Sequence, residues 1–165
     1  MACDALERLA RRVGVRLKRR GFKLATAESC TGGWVAQAVT SIAGSSDWFE
    51  RGFVTYSNEA KKELLGVRPS TLSRHGAVSE ETAREMASGA LRRSRAQVAI
   101  AVTGIAGPGG GTPEKPVGMV CFAWALKKGA TRSAVRRFAG GRESVRRQSV
   151  VAALRGLLAN PRLRG

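Results

Sequence analysis

A run of five consecutive apolar residues, Val98–Val102 (VAIAV), stands between segments that are rich in charge and glycine. A strand can be apolar at every position only when both of its faces are covered, which is typical of α/β proteins. Helical stripes of apolar residues occur far from it in the chain, first from Leu6 to Leu17 and last within about Arg142–Leu158. These helices are the natural cover for the two faces of a sheet.

Four other segments are predicted as strands of the same sheet. They are Phe22–Ala27, Phe53–Tyr56, Val117–Ala125 and Ser133–Phe138. Only a short Lys-Lys-Gly turn joins the last two, so this pair should be antiparallel. We therefore expect an α/β fold with three α/β/α layers and a mixed, mostly parallel sheet. No linker divides the chain, so we expect a single domain over residues 1–165.

Composition argues against several classes of protein. No apolar run approaches the roughly 20 residues of a membrane helix, and the first residues lack the apolar core of a signal peptide. We therefore expect a cytoplasmic protein without a membrane partner. The cysteines Cys3, Cys30 and Cys121 do not suit a disulfide framework. Because His75 is the only histidine and no cysteines are closely paired, we expect no metal site.

The formal net charge of +17 raises the question of a nucleic-acid partner. Single-stranded nucleic acids are bound by aromatic side chains that stand among basic ones. Here aromatic residues form only 5% of the chain and are not interleaved with the basic runs. A nucleic-acid partner is therefore not expected, and the arginines are interpreted mainly as solvated helix faces.

The junction after the first predicted strand carries the first candidate for chemistry. Ser29 lies there, close to the start of a helix predicted from Gly32, whose unpaired N–H groups and positive dipole suit an oxyanion. Gly32 and Gly33 would allow a substrate to approach closely. Cys30 is a rival nucleophile, and a plain helix cap by Ser29 or Thr31 fits the spacing equally well.

Activation of a serine requires a base, and the chain offers two kinds. His75 lies in a polar segment between helices, so a Ser–His–Asp triad is a weak alternative. A partly desolvated lysine can be neutral near pH 7 and serve as a base. Lys61 follows Tyr56 just past the end of a predicted strand, where the sites of parallel sheets form. Its neighbour Lys62 is interpreted as an ordinary solvated lysine.

A glycine-rich segment follows the buried strand. Thr103–Pro116 holds five glycines and three prolines, so we expect an irregular loop. Its backbone N–H groups suit a phosphate or a ribose, and Thr103 could donate its hydroxyl. The segment matches neither a Walker loop nor a dinucleotide-binding fingerprint.

Four motifs occur in one order along the chain. They are Ala27–Gly33 (AESCTGG), Tyr56–Lys61 (YSNEAK), Gly76–Ser79 (GAVS) and Thr103–Gly110 (TGIAGPGG). With these motifs the chain resembles the CinA C-terminal-domain family over about residues 5–157. The segment Gly140–Arg146 (GGRESVR) is similar to the family pattern Gly-Asp-Arg-x-x-Val-Arg, but Gly141 replaces the acid.

The resemblance implies a mixed α/β/α fold and hydrolysis of nicotinamide mononucleotide to nicotinate mononucleotide and ammonia. It implies that Ser29 is the nucleophile, with Tyr56 and Lys61 beside it. In the expected mechanism Lys61 accepts the serine proton, the Tyr56 hydroxyl bridges or orients the pair, and N–H groups of Cys30–Gly32 hold the oxyanion. No metal or organic cofactor is needed.

The remaining expectations concern the substrate and the partners. Arg142, or alternatively Arg146, should hold the phosphate. A homo-oligomer is expected. Two other functions stay open: a catalytically idle CinA-type domain with a basic nucleic-acid-contacting surface, and an amidase for a different nucleotide amide. The residues expected to bind substrate are Cys30, Thr31, Gly32, Thr103, Gly104, Ala106, Gly107 and Arg142.

Overall fold

The computed structural model describes residues 4–164, so Cys3 lies outside the described part of the chain. The helices are α1 (Ala5–Arg20), α2 (Trp34–Thr40), α3 (Asn58–Leu65), α4 (Pro69–His75), α5 (Glu80–Arg92) and α6 (Arg142–Leu158). The strands are β1 (Leu24–Glu28), β2 (Phe49–Val54), β3 (Val98–Gly104), β4 (Met119–Leu126) and β5 (Arg132–Arg137). Short 3₁₀ turns lie at Ser45–Asp47 and Pro161–Leu163.

The five strands form one mixed sheet in the order β2-β1-β3-β4-β5. Strand β1 is parallel to both β2 and β3, whereas β4 is antiparallel to both of its neighbours. Only β4 therefore runs against the other strands, which confirms the predicted α/β fold with a mixed, mostly parallel sheet.

Strand β3 shows why its sequence is apolar throughout. Val98, Ile100 and Val102 join the cluster that α1, α2 and α6 form on one face of the sheet. Ala99 and Ala101 point to the other face, where they meet α3 and α5. The alanines let α5 approach the sheet closely, and both layers are buried.

Several predicted boundaries were wrong, and each has a physical reason. Strand β2 begins at Phe49 rather than Phe53, because this edge strand is only half-buried and its apolar pattern is broken by Arg51 and Gly52. Helix α2 begins at Trp34, not Gly32. The segment that ends at His75 is helical, although only one residue of α4 is buried and it has no apolar stripe.

The sheet topology determines where a site can form. The chain leaves the carboxyl end of β1 toward the face that carries α2, and it leaves the carboxyl end of the neighbouring β2 toward the face that carries α3 and α5, so a crevice opens at these ends. The chain after β1 begins with Ser29, the chain after β2 with Thr55, and β3 ends at Gly104. The segments that carried the motifs therefore meet at one edge of the sheet. Within residues 4–164, none of the helices combines the length and apolar character needed to cross a bilayer.

Candidate active site

Ser29 stands on a tight turn between β1 and α2. Its N–H donates to the Val102 carbonyl at 2.9 Å, which extends the β1–β3 ladder by one residue. Its own carbonyl accepts the Gly32 N–H at 3.0 Å and closes the turn. Gly33 has φ 98°, a conformation that residues with a side chain rarely adopt. The turn thus directs the Ser29 side chain into the crevice instead of along the helix.

Lys61 reaches Ser29 from the first turns of α3. The N-cap of this helix is Ser57, whose hydroxyl accepts the Ala60 N–H at 3.0 Å. Asn58 is the first helical residue. The Lys61 side chain points back into the protein and is only 1% exposed.

The Lys61 amine has three hydrogen-bond partners. Nζ donates to Ser29 Oγ at 3.0 Å, to the Thr55 carbonyl at 2.8 Å and to the Tyr56 carbonyl at 3.2 Å. Burial lowers the pKa of Lys61. A neutral amine has two N–H groups and one lone pair. If the two carbonyls take the N–H groups, the lone pair points at Ser29 Oγ, as a general base requires.

Cys30 is the rival nucleophile, and its surroundings disfavour it. Burial raises the pKa of the Cys30 thiol to about 12. The thiol therefore stays protonated at neutral pH, and it is the thiolate that acts as a nucleophile. Geometry and protonation both favour Ser29.

Tyr56 takes part through different atoms from those expected. Its hydroxyl accepts a hydrogen bond from Arg142 Nη2 at 3.2 Å, and it does not bridge Ser29 and Lys61. Its backbone carbonyl is what contacts the lysine. The ring is 62% exposed at the mouth of the crevice. The predicted bridging role of the hydroxyl is therefore wrong in this structure.

Arg142 and the glycine-rich loop form the opposite wall. Arg142 Nη1 donates to the Gly107 carbonyl at 2.8 Å and so ties α6 to the loop. The Thr103 hydroxyl, expected as a donor to the substrate, donates instead to the Ala77 carbonyl at 2.8 Å. At Gly104 a Cβ would lie within 3.0 Å of β4 backbone, so the close β3–β4 approach requires glycine.

These elements enclose a cavity of about 270 Å³. Most of the residues predicted for the site line it. They are Ser29, Cys30, Tyr56, Lys61, Thr103, Gly104, Ala106, Gly107 and Arg142.

Thr31 and Gly32 are not brought to this cavity. They line a separate open groove of about 650 Å³, which Arg142 also borders. The Thr31 hydroxyl is buried and donates to Glu28 at 2.7 Å. The Gly32 N–H is used by the Ser29 carbonyl and is not free for an oxyanion. Arg146, the alternative phosphate ligand, donates to the carbonyls of Cys30 and Thr31, both at 3.1 Å.

The one histidine lies elsewhere. His75 ends α4 with a largely exposed side chain, and its Nδ1 is 3.7 Å from a carboxylate oxygen of Glu81. It does not line the cavity that holds Ser29. The structure therefore offers no support for a histidine base.

Comparison with known proteins agrees with this arrangement. The family model of the CinA C-terminal domain matches residues 6–160. This chain belongs to the CinA C-terminal domain family. It is 55% identical over 157 residues to the nicotinamide-nucleotide amidohydrolase PncC of Escherichia coli K12, with 95% of each chain covered. It is 54% identical to a CinA-like protein of Syntrophobacter fumaroxidans, covering 90% of this chain but 35% of that protein.

A solved structure supports the same assignment. The crystal structure of the competence/damage inducible protein CihA from Agrobacterium tumefaciens matches with a TM-score of 0.93 and 50% identity. The match covers 96% of this chain and 97% of that one. The predicted resemblance to the CinA C-terminal domain family is thus confirmed over nearly the whole chain.

Two features of this CinA domain bear on the sequence predictions. Gly141, which replaces the expected acid, is the N-cap of α6, and no side chain caps the helix there. Glu28 was not singled out, yet its carboxylate is buried directly before Ser29. One sequence signal could have revealed it: Glu28 is the one charged residue of a strand that otherwise has only apolar or small residues. A carboxylate buried in such a strand needs hydrogen-bond partners, which indicates a specific role.

Proposed function

We propose that this chain is a nicotinamide-nucleotide amidohydrolase that converts nicotinamide mononucleotide to nicotinate mononucleotide and ammonia. The observation that carries the proposal is the 3.0 Å contact between Ser29 Oγ and the buried Lys61 Nζ, inside a cavity at the carboxyl end of the sheet. A relative at 55% identity is named a nicotinamide-nucleotide amidohydrolase, which supports the choice of substrate.

Acylation begins with neutral Lys61. Its lone pair accepts the Ser29 hydroxyl proton while Oγ attacks the carboxamide carbon, which gives a tetrahedral oxyanion. The resulting Lys61 ammonium donates a proton to the amide nitrogen, the C–N bond breaks, and ammonia leaves. The carbonyls of Thr55 and Tyr56 hold the lysine in place through both steps.

Deacylation uses the same pair in reverse. Lys61, neutral again, accepts a proton from water as the water oxygen attacks the acyl carbon. The ester bond to Oγ then breaks and Lys61 returns the proton to Ser29, which leaves the product as nicotinate mononucleotide. A single base serves both half-reactions, so a second titrating residue is not needed.

Backbone N–H groups are the donors available to the oxyanion. Within residues 4–164, those of Thr31, Ala106 and Gly107 donate to no other group. Ala106 and Gly107 also line the cavity. We assign the oxyanion to the N–H groups of Ala106 and Gly107, which line the cavity together with Ser29.

The substrate's other groups fit the cavity mouth. Arg142 uses two N–H groups on Gly107 and Tyr56, so further N–H groups of its guanidinium are free for phosphate oxygens. The exposed Tyr56 ring offers a flat face to the pyridinium ring, which is a cation. Arg146 does not line the cavity that holds Ser29, whereas Arg142 does, so Arg142 is the better phosphate ligand.

The direct test is ammonia release from nicotinamide mononucleotide by the purified protein, with nicotinamide and NAD assayed in parallel. The proposal predicts turnover of the mononucleotide and little turnover of nicotinamide, which lacks the phosphate. Equal or faster turnover of nicotinamide, or none of the mononucleotide, would refute the substrate assignment.

A further inference from the structure

We propose that Glu28 is the positioning residue of the Ser29–Lys61 pair, holding the nucleophile through its side chain and the base through its backbone. This inference rests on the proposed serine mechanism. It concerns a residue that does not line the cavity and so acts through others.

The side chain of Glu28 fixes the turn that carries Ser29. It is 1% exposed. One oxygen, Oε1, accepts the Thr31 hydroxyl at 2.7 Å and the Val35 N–H at 2.8 Å, and Oε2 accepts the Ala36 N–H at 3.0 Å. The carboxylate thus binds the middle of the turn and the helix beyond it, so Ser29 stands on a segment held at both ends.

The backbone of Glu28 fixes the base. Its carbonyl accepts the Thr55 N–H at 2.8 Å, and the Thr55 carbonyl in turn accepts Lys61 Nζ at 2.8 Å. Two hydrogen bonds therefore separate Glu28 from the lysine amine. A shift of Glu28 would move both reacting atoms, and small displacements of such atoms reduce rates strongly.

Helix capping alone does not account for a buried carboxylate at this position. A helix cap can be supplied by serine or threonine, whereas a buried charge must be fully compensated. Glu28 also occupies the positive end of α2. That end is therefore not open to substrate, which leaves the oxyanion to the N–H groups of the glycine-rich loop.

The test is Glu28→Gln, which keeps the shape but replaces one acceptor oxygen with an NH₂ group. Whichever way the amide turns, this NH₂ faces an N–H or O–H that donated to the carboxylate. The readout is covalent labelling of Ser29 by a phosphonofluoridate, in which Oγ bonds to phosphorus and fluoride is released. We expect labelling and kcat to fall about 10- to 100-fold while KM changes little.

The matched control is Glu85→Gln. Glu85 likewise accepts a threonine hydroxyl, from Thr71 at 2.6 Å, and a backbone N–H, from Arg68 at 2.8 Å, at the start of α4. It does not line the Ser29 cavity. This variant should lose stability but label Ser29 at the wild-type rate.

The outcomes separate this inference from the proposed function. A folded Glu28→Gln protein that labels at the wild-type rate overturns the positioning role, as does an equal loss in Glu85→Gln. If Glu28→Gln does not fold, Thr31→Val removes one of the three bonds, and wild-type labelling of that variant overturns the role. Failure to hydrolyse nicotinamide mononucleotide would refute the proposed substrate, while the labelling comparison would still decide the role of Glu28.

Discussion

Replacing Lys61 with methionine removes the amine and keeps most of the side-chain volume. Nζ makes three hydrogen bonds at 2.8–3.2 Å, one of them to the proposed nucleophile. Without it, Ser29 has no base within hydrogen-bond distance. General-base catalysis is worth about 10²- to 10⁴-fold, so we expect kcat to fall about 1,000-fold, or about 4 kcal/mol of transition-state stabilisation.

The stability of the Lys61→Met protein should change much less than its rate. Two carbonyls, of Thr55 and Tyr56, lose a donor. Each hydrogen bond contributes about 1 kcal/mol net to stability. Part of this loss is offset, because the methionine does not carry the desolvation cost of a buried amine. We expect the free energy of unfolding to fall by at most about 2 kcal/mol, measured by urea unfolding beside ammonia release. Lys62→Met is the control, because Lys62 is partly exposed and paired with Glu59.

The lowered pKa of Lys61 also gives a pH dependence with a definite sign. The amine must be neutral to act, so kcat/KM should fall as the pH drops through this pKa, by about tenfold per unit below it. The unfolded state binds a proton on Lys61 up to its ordinary pKa, whereas the folded state loses it earlier. Stability attributable to this residue therefore rises with pH between the two values, and the Met variant should lack that rise.

Two results would refute the assignment of Lys61 as the base that activates Ser29. The first is a folded Lys61→Met protein whose kcat lies within about tenfold of wild type. The second is loss of activity in His75→Asn while Lys61→Met stays active, which would restore a histidine base.

Four further variants at three positions test the surrounding residues. Tyr56→Phe should keep most activity because the hydroxyl contacts Arg142 rather than the reacting pair. Tyr56→Ala should raise KM several-fold. An equal loss of activity in both variants would favour a hydroxyl that bridges Ser29 and Lys61. Arg142→Ala should raise KM by about tenfold, more than it lowers kcat, and an unchanged KM in steady-state kinetics would contradict phosphate binding. Gly141→Asp should raise the free energy of unfolding by about 1 kcal/mol, since an Asp side chain caps α6 and the unfolded chain loses conformational freedom. The φ of −73° and the open space around a Cβ accommodate the side chain. A lower Tm would contradict this prediction.

The fold could be predicted where the spacing of apolar residues along the sequence matches the buried face of a helix or strand. The α6 boundaries Arg142–Leu158 match the prediction. The first residue of α3 could not be predicted, since Ser57 and Asn58 are both good caps and only the tertiary structure selects Ser57. Helix α4 was missed because it packs mainly on α5 and presents little apolar surface to the core.

The candidate site was predictable in its parts but not in its contacts. Ser29 and Lys61 follow two neighbouring parallel strands, so topology alone brings them together. The contact of Arg142 with the Tyr56 hydroxyl joins residues 86 apart, and no local pattern encodes it. Glu28 could not be assigned either, because its partners become visible only once the turn after β1 is folded.

In the proposed mechanism Ser29, and not its neighbour Cys30, carries the acyl group. Ammonia release from nicotinamide mononucleotide should be measured for wild type, Ser29→Ala and Cys30→Ala, with nucleotide binding followed by calorimetry. We predict that Ser29→Ala binds the mononucleotide but releases no measurable ammonia, whereas Cys30→Ala keeps most of the wild-type rate. Substantial turnover by Ser29→Ala, with activity lost in a folded Cys30→Ala protein, would contradict the serine mechanism and assign the nucleophile to Cys30.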